Sequence, residues 1–365
     1  MIDILNMTLE ELTDYFRLEL DQPPFRARQV WKWLWNKRAR SFADMSDLSL
    51  SLRATLEERA AIIRPVVQST LRSSDGTVKF LLRLSDGELV ESVLIPSESR
   101  QGKERVTQCL SSQVGCALGC TFCATGAMGF TRNMTMGEIL GQVLVARDYL
   151  EDDPDCPQLR NLVFMGMGEP LLNLTEVMKS LKTLNSEPGL SFSPRRITVS
   201  TCGIDQGLRR LGESGLAYLA VSLHAPNQEL RARLMPKAAR WPLESLMQSL
   251  RAYPLKARER LTFEYLLLGG INDSPEHAGE LAGLMTRVKG KLNLIVYNPA
   301  EGTPYAPPTP EAVQAFEKRL RSKHITAIVR KSKGADIDAA CGQLRASAVQ
   351  VNTAVDERLF QRRAS

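Results

Sequence analysis

Histidine is scarce: His224, His277 and His324 are the only three in 365 residues, and none stands at zinc-ligand spacing from a cysteine. A structural zinc site built from paired knuckles is therefore excluded. No apolar run approaches the ~18 to 20 residues of a membrane-spanning helix, which excludes a helical membrane protein. The opening Met1-Ile2-Asp3-Ile4-Leu5 has neither a basic stretch nor a small-residue cleavage site, so no signal peptide is expected and a cytosolic protein is. No segment repeats, which removes solenoids and propellers. Aromatic residues make up only 6% of the chain, so three of its four tryptophans falling within Phe25 to Arg40 is a real concentration.

The length is enough for a barrel-sized core plus a smaller accessory unit. Hydrophobic residues at 43% and charged residues at 24% suit a globular protein. A net charge of +6 with pI near 8.9 leans mildly toward polyanions. Seven cysteines in a reducing compartment read as ligands, nucleophiles or redox partners rather than structural disulfides.

Three of them decide the chemistry. Cys116, Cys120 and Cys123 form a C-x3-C-x2-C run in Gly115-Cys116-Ala117-Leu118-Gly119-Cys120-Thr121-Phe122-Cys123. One short loop then offers three thiolates, and a four-iron cluster held there keeps one iron free of protein ligands, open to chelation by a substrate. The bland alternative is three ordinary buried cysteines.

Residues 1-65 read as a small helical unit. Thr8 and Glu11 form a capping box, Leu9, Leu12, Tyr15 and Phe16 keep helical spacing, and Pro23-Pro24 ends that helix. The next segment carries Arg26, Arg28, Lys32, Lys37, Arg38 and Arg40 with no acid, interleaved with Trp31, Trp33 and Trp35. Such a mixture grips phosphates and stacks on bases. Equally, Val30, Trp31, Leu34 and Trp35 make a core stripe with the basic residues as its wet face, and both readings can hold together. Residues 66-104 read as a β-hairpin and linker, with strands over Thr77 to Leu84 and Leu89 to Ile95 about the Ser85-Asp86-Gly87 turn and a polar connector from Ser97 to Glu104. Glu91, on the second strand, faces solvent by default.

Residues 105-345 alternate apolar strands with helical stretches, the pattern of parallel βα units. The strands are expected at Val106 to Ser111, Asn161 to Met165, Arg196 to Thr201, Tyr218 to Leu223, Thr262 to Leu268, Leu292 to Tyr297 and Ile325 to Val329. The fold class is thus α/β, a full or partial (β/α) barrel with a small N-terminal helical domain, followed by a polar tail over 346-365. Active sites of such barrels gather just beyond the C-terminal ends of the strands. Those positions hold the cysteine triplet, Gly166-Met167-Gly168-Glu169-Pro170, Ser200-Thr201, Ser222-Leu223-His224 and Asn298-Pro299. Small polar groups around a barrel mouth suit a nucleoside with an amino acid tail.

With these motifs in hand, the chain resembles the radical S-adenosylmethionine (SAM) enzymes, and within them the RNA adenine methyltransferases of the RlmN and Cfr group. The resemblance runs from the N-terminal unit to Gln343. It rests on the triplet together with Cys109-Leu110-Ser111-Ser112-Gln113-Val114-Gly115, Met165 to Asn173, Ser222-Leu223-His224-Ala225-Pro226 and Asp336-Ile337-Asp338-Ala339-Ala340-Cys341-Gly342-Gln343-Leu344. It implies a partial radical-SAM barrel, one [4Fe-4S] cluster on Cys116, Cys120 and Cys123, and two SAM molecules per turnover. SAM contacts would come from Gly168, Glu169, Ser200, Ser222, Leu223, His224 and Asn298. Cys341 would carry a methyl group and then join covalently to RNA. Cys109 would resolve that joint, leaving a transient Cys109–Cys341 disulfide, with Glu91 as proton acceptor. Cys156 and Cys202 are left as structural.

The implied reaction is methylation of adenosine carbon 2 in 23S rRNA, near the peptidyl transferase centre, and in tRNA, 3′ of the anticodon. Its partners would be those RNAs and an electron donor such as a small flavoprotein, the enzyme being a monomer. The rivals are methylation at carbon 8 of the same ribosomal adenosine, and a cluster-bearing RNA-binding protein that performs no radical chemistry.

Overall fold

A computed structural model describes residues 1–98, 104–151, 157–299 and 302–346. Cys156, most of the 97–104 connector and nearly all of the tail lie outside the described residues.

Helix α1 (Leu9–Leu18) starts where the sequence places it: the Thr8 hydroxyl accepts from Glu11 N, and the Glu11 carboxylate accepts from Thr8 N. Such a cap is worth ~1 kcal/mol. Helix α2 (Pro24–Trp35) has proline at its first position, where no N–H is needed. It buries Ala27, Val30, Trp31, Leu34 and Trp35, with Trp31 and Trp35 meeting edge to face at 5.7 Å. Arg28, Lys32 and Lys37 remain exposed on the other side. Arg38 is half-buried, and Arg40, though exposed, is not free. Both pair with Asp148, at 3.3 and 2.5 Å, and Arg64 joins the same carboxylate at 2.8 Å. Two of the six basic residues thus bolt the N-terminal unit to the core. Helix α3 (Leu50–Arg59) completes the unit.

Ten of the strands that follow among the described residues form one sheet, and their order across it is their order in the chain. Strands β1 (Val66–Arg72), β2 (Val78–Arg83), β3 (Leu89–Glu98) and β4 (Glu104–Cys109) run antiparallel. From β4 onward every neighbour is parallel: β5 (Leu159–Phe164), β6 (Ile197–Thr201), β7 (Tyr218–Ser222), β8 (Leu261–Leu267), β9 (Gly290–Val296) and β10 (Ala327–Arg330). The helices between them are α4 (Met136–Glu151), α5 (Leu174–Asn185), α6 (Asp205–Ser214), α7 (Gln228–Leu234), α8 (Leu243–Arg251), α9 (Pro275–Met285) and α10 (Pro310–Ser322). Parallel strands need such crossovers, which cover the sheet with helices. Among the described residues the end strands β1 and β10 are not bonded to each other, so the barrel is partial.

The antiparallel strands are one surface with the barrel. Val93 pairs with Cys109 and Glu98 with Glu104, which makes the hairpin an extension of the sheet and adds β1, a strand the alternation pattern did not delimit. Glu91 is wholly buried rather than facing solvent. None of the described helices is long and apolar enough to cross a membrane.

Candidate active site

Beyond β4 the chain makes a short strand, Gln113–Gly115, paired with Phe130–Asn133. Gly115 turns at φ +71, and a Cβ there would stand 2.1 Å from the Gly129 carbonyl oxygen, so only glycine fits. Cys116 N donates to that same oxygen at 2.6 Å, and Cys123 N donates to Cys120 O at 3.1 Å. Burial raises Cys120 well above the ordinary thiol range, with the charges of Cys123 and Cys116 adding to it; burial pushes Cys116 up to about 11 and also raises Cys123.

At the end of β5, Gly168 adopts φ +100, and a side chain there would collide with Gln113. Its freedom lets Glu169 turn inward. Glu169 N donates to Gln113 Oε1 at 2.8 Å, and the buried carboxylate accepts from Leu171 N at 3.0 Å and Cys202 N at 2.9 Å. Burial raises this carboxyl, opposed by those hydrogen bonds. At the ends of β6 and β7, Ser200 Oγ and Ser222 Oγ lie 3.3 Å apart. Leu223 is buried, and His224 takes φ 54. His224 Nδ1 accepts from Leu266 N at 3.0 Å, leaving Nε2 to carry the proton. Burial, then the Arg231 charge, lowers this imidazole to about 3, so it is neutral at physiological pH. Its ring meets Phe122 of the cysteine loop edge to face at 5.1 Å. Asn298 Nδ2 donates to Ser332 Oγ at 2.7 Å beyond β9.

The segment that carries Cys341 crosses this mouth. Ala124 N donates to Gly342 O at 2.8 Å and the Thr125 hydroxyl to Leu344 O at 2.6 Å, tying it to the cysteine loop. On its other side Asp336 accepts from the Ser73 hydroxyl at 2.6 Å and from Ser74 N at 3.1 Å. Arg345 N donates to Glu91 Oε2 at 2.7 Å. Cys109 is buried at the end of β4; burial raises its thiol, and the charge of Cys341 raises it further. Cys341 keeps solvent access, while the packing about its sulfur and the Glu264 charge push its thiol up to about 11.

Two family descriptions match this chain: the ribosomal RNA large subunit methyltransferase N-terminal domain over residues 2–62, and the radical SAM superfamily over residues 110–282. Similar proteins include the dual-specificity RNA methyltransferase RlmN of Nitratidesulfovibrio vulgaris strain DP4, 70% identical over 97% of this chain and 98% of that one. The RlmN of Syntrophus aciditrophicus is 44% identical over 96% and 98%. A crystal structure of a radical SAM methyltransferase from Sphaerobacter thermophilus superposes with a TM-score of 0.88 at 41% identity, covering 95% of this chain and all of that one. The chain belongs to the RlmN family of radical SAM methyltransferases.

An RlmN-family protein uses one [4Fe-4S] cluster and SAM. The donor set here fits that cluster better than a lone ion: no three His, Cys, Asp or Glu side chains among the described residues converge closely enough for one metal ion, whereas a cluster takes each thiolate on a different iron.

Several residues of this RlmN-type mouth escaped the sequence reading. Lys79, buried on β2, lies 3.1 Å from Glu91 and donates to Asp338 O at 3.2 Å. Its contact with Glu91 Oε1 is ionic, too poorly aligned for a hydrogen bond. Strand parity held the only signal, since Lys79 pairs with Val93 and Leu81 with Glu91 on one face. Burial raises the Glu91 carboxyl, and the Lys79 charge opposes that. Glu264 on β8, held by Asn293 Nδ2 at 2.8 Å, is pushed by burial up to about 7. Cys202 does more than fill space, because its backbone N–H caps Glu169.

Proposed function

We propose that this chain methylates carbon 2 of adenosine in 23S rRNA, near the peptidyl transferase centre, and in tRNA, 3′ of the anticodon. What supports this reading most is one strap of chain: the Cys341 segment is bonded at once to the cysteine loop and to Glu91.

Cys116, Cys120 and Cys123 hold the cluster. Gly168 and Glu169 receive the amino end of SAM, with Ser200, Ser222, Leu223, His224 and Asn298 lining the rest. When bound, cluster and SAM supply an electron, a methyl group and hydrogen abstraction, chemistry that an electron-poor aromatic carbon demands. The chain's own residues do the remainder. Cys341 loses its thiol proton, accepts a methyl group and becomes joined to the adenine through that carbon. Glu91, ionised beside Lys79, takes the proton leaving carbon 2. The Cys109 thiolate attacks the Cys341 sulfur; the carbon–sulfur bond breaks, its electron pair stays on the bridging methylene carbon, which takes up a proton to become the methyl group of the base, and a Cys109–Cys341 disulfide forms that an external thiol must reduce. The exposed Arg28, Lys32 and Lys37 face grips RNA phosphates. A small flavoprotein supplies the electron, and the protein acts as a cytoplasmic monomer.

The test is anaerobic incubation of cluster-loaded protein with SAM and unmodified 23S fragment or tRNA, followed by nucleoside mass spectrometry. 2-Methyladenosine is expected. 8-Methyladenosine would move the chain to the rival chemistry, and neither product would remove the RNA assignment.

A further inference from the structure

Two cationic side chains are wholly buried near the barrel mouth. Lys79 has an acid, Glu91, beside it. Arg231, on α7, has none: it is 0% exposed, and no carboxylate among the described residues makes a salt bridge with it. Its Nη groups donate to Cys202 O at 2.6 Å and Leu223 O at 3.0 Å, the carbonyls just beyond β6 and β7. Its Nε–H has no partner. The nearby acid, Glu169, already receives a backbone N–H on each oxygen. A buried charge left without a counter-ion is costly, and neutral carbonyls do not cancel it.

The missing anion has a location. α7 ends at Leu234, whose carbonyl accepts from both the N–H of Thr121, at 3.0 Å, and its hydroxyl, at 3.3 Å. The helix that carries the guanidinium is therefore bonded to the cysteine loop between Cys120 and Cys123. Burial lowers the pKa of Arg231, and the charges of Cys202, Cys120 and Glu169 oppose that lowering. Three thiolates on a four-iron core make an anionic site, and one-electron reduction adds a negative charge without a proton.

We propose that Arg231 is the internal counter-cation of the iron–sulfur cluster and eases its reduction. This rests on the assignment of the cluster to Cys116, Cys120 and Cys123. A fixed cation stabilises the more negative, reduced form more than the oxidised one, and burial shields the effect from salt. Arg231 acts on the cluster through its charge and touches no reacting atom.

The test compares wild type, R231Q and R231K, full-length and reconstituted anaerobically with iron and sulfide. Iron content is measured first. A wild type that takes up no cluster would defeat the cysteine-loop assignment, which separates that failure from any failure of Arg231. The reduced cluster is then titrated with dithionite and read by EPR. At the potential where wild type is half reduced, R231Q should show at least a tenfold lower ratio of reduced to oxidised cluster, or ~59 mV for a one-electron couple. R231K, which keeps the charge but cannot span the two carbonyls, should stay within threefold of wild type. A loaded R231Q at the wild-type potential overturns the proposal. So does an unchanged potential with weakened SAM binding, which would assign the charge to the SAM carboxylate. If R231Q does not fold, R231K alone decides: a ratio within threefold supports the proposal, and a tenfold fall overturns it.

Discussion

The two cysteine-bearing segments at the barrel mouth are held in opposite ways. The loop with Cys116, Cys120 and Cys123 is pinned by backbone: Gly115 has no room for a Cβ, Cys116 N and Thr121 N are bonded to fixed carbonyls, and His224 packs edge-on against Phe122. The segment with Cys341 is held largely through side chains, by Asp336 to Ser73, Lys79 to Asp338 O, Thr125 to Leu344 O and Glu91 to Arg345 N. A cofactor wall has to keep its geometry through every turnover. Under the proposed mechanism the Cys341 sulfur would meet a methyl donor, a base and a second sulfur and so would have to travel, and side-chain bonds can be exchanged one at a time.

That contrast can be broken on the pinned side first. Gly115→Ala forces a carbon into the Gly129 carbonyl, and iron content after reconstitution should fall more than tenfold while far-UV circular dichroism holds. On the travelling side, Cys109→Ala should leave enzyme and RNA joined, seen as a shifted band on a denaturing gel; free RNA and free protein would count against its resolving role. Lys79→Met strands a buried carboxylate and should cost ~3–5 kcal/mol in urea unfolding at neutral pH, with Lys79→Arg restoring part of it. An undiminished midpoint would mean that Glu91 is already protonated in the folded protein.

The smallest effect concerns pH. Folding lowers the His224 pKa from its ordinary 6.5 to about 3. The unfolded chain therefore binds a proton that the folded one refuses, and stability falls as pH drops below 6.5. Between pH 7 and pH 5 this group removes about 2 kcal/mol. His224→Asn, which still offers an acceptor to Leu266 N, should flatten that slope; an unchanged slope would place the proton elsewhere.

The pinned region was the more legible of the two in sequence. Cysteine spacing and glycines are local signals, and alternating apolar strands located all seven members of the parallel run within a few residues. Long-range partners are harder to read. Arg231 and Arg233 look alike in a polar helical stretch, yet only Arg231 is buried. Arg38 and Arg40 looked free until Asp148, more than a hundred residues away, took them up. Glu91 reads as a surface residue in the sequence because hairpin alternation reveals two faces without saying which one another segment will cover. The covering segment arrives from the far end of the chain.

Because the ten strands lie in the sheet in the order in which they are synthesised, a growing chain adds each one to an open edge, and none has to be inserted between earlier neighbours. The exception to this local assembly is the strap. Asp336 reaches back 263 positions to Ser73, the type of closure whose entropy is met only after everything between has formed. The strap that carries Cys341 can therefore close only over a sheet already built between Ser73 and Asp336, so the cysteine loop does not depend on the strap for its place in the chain order, whereas the strap depends on the sheet.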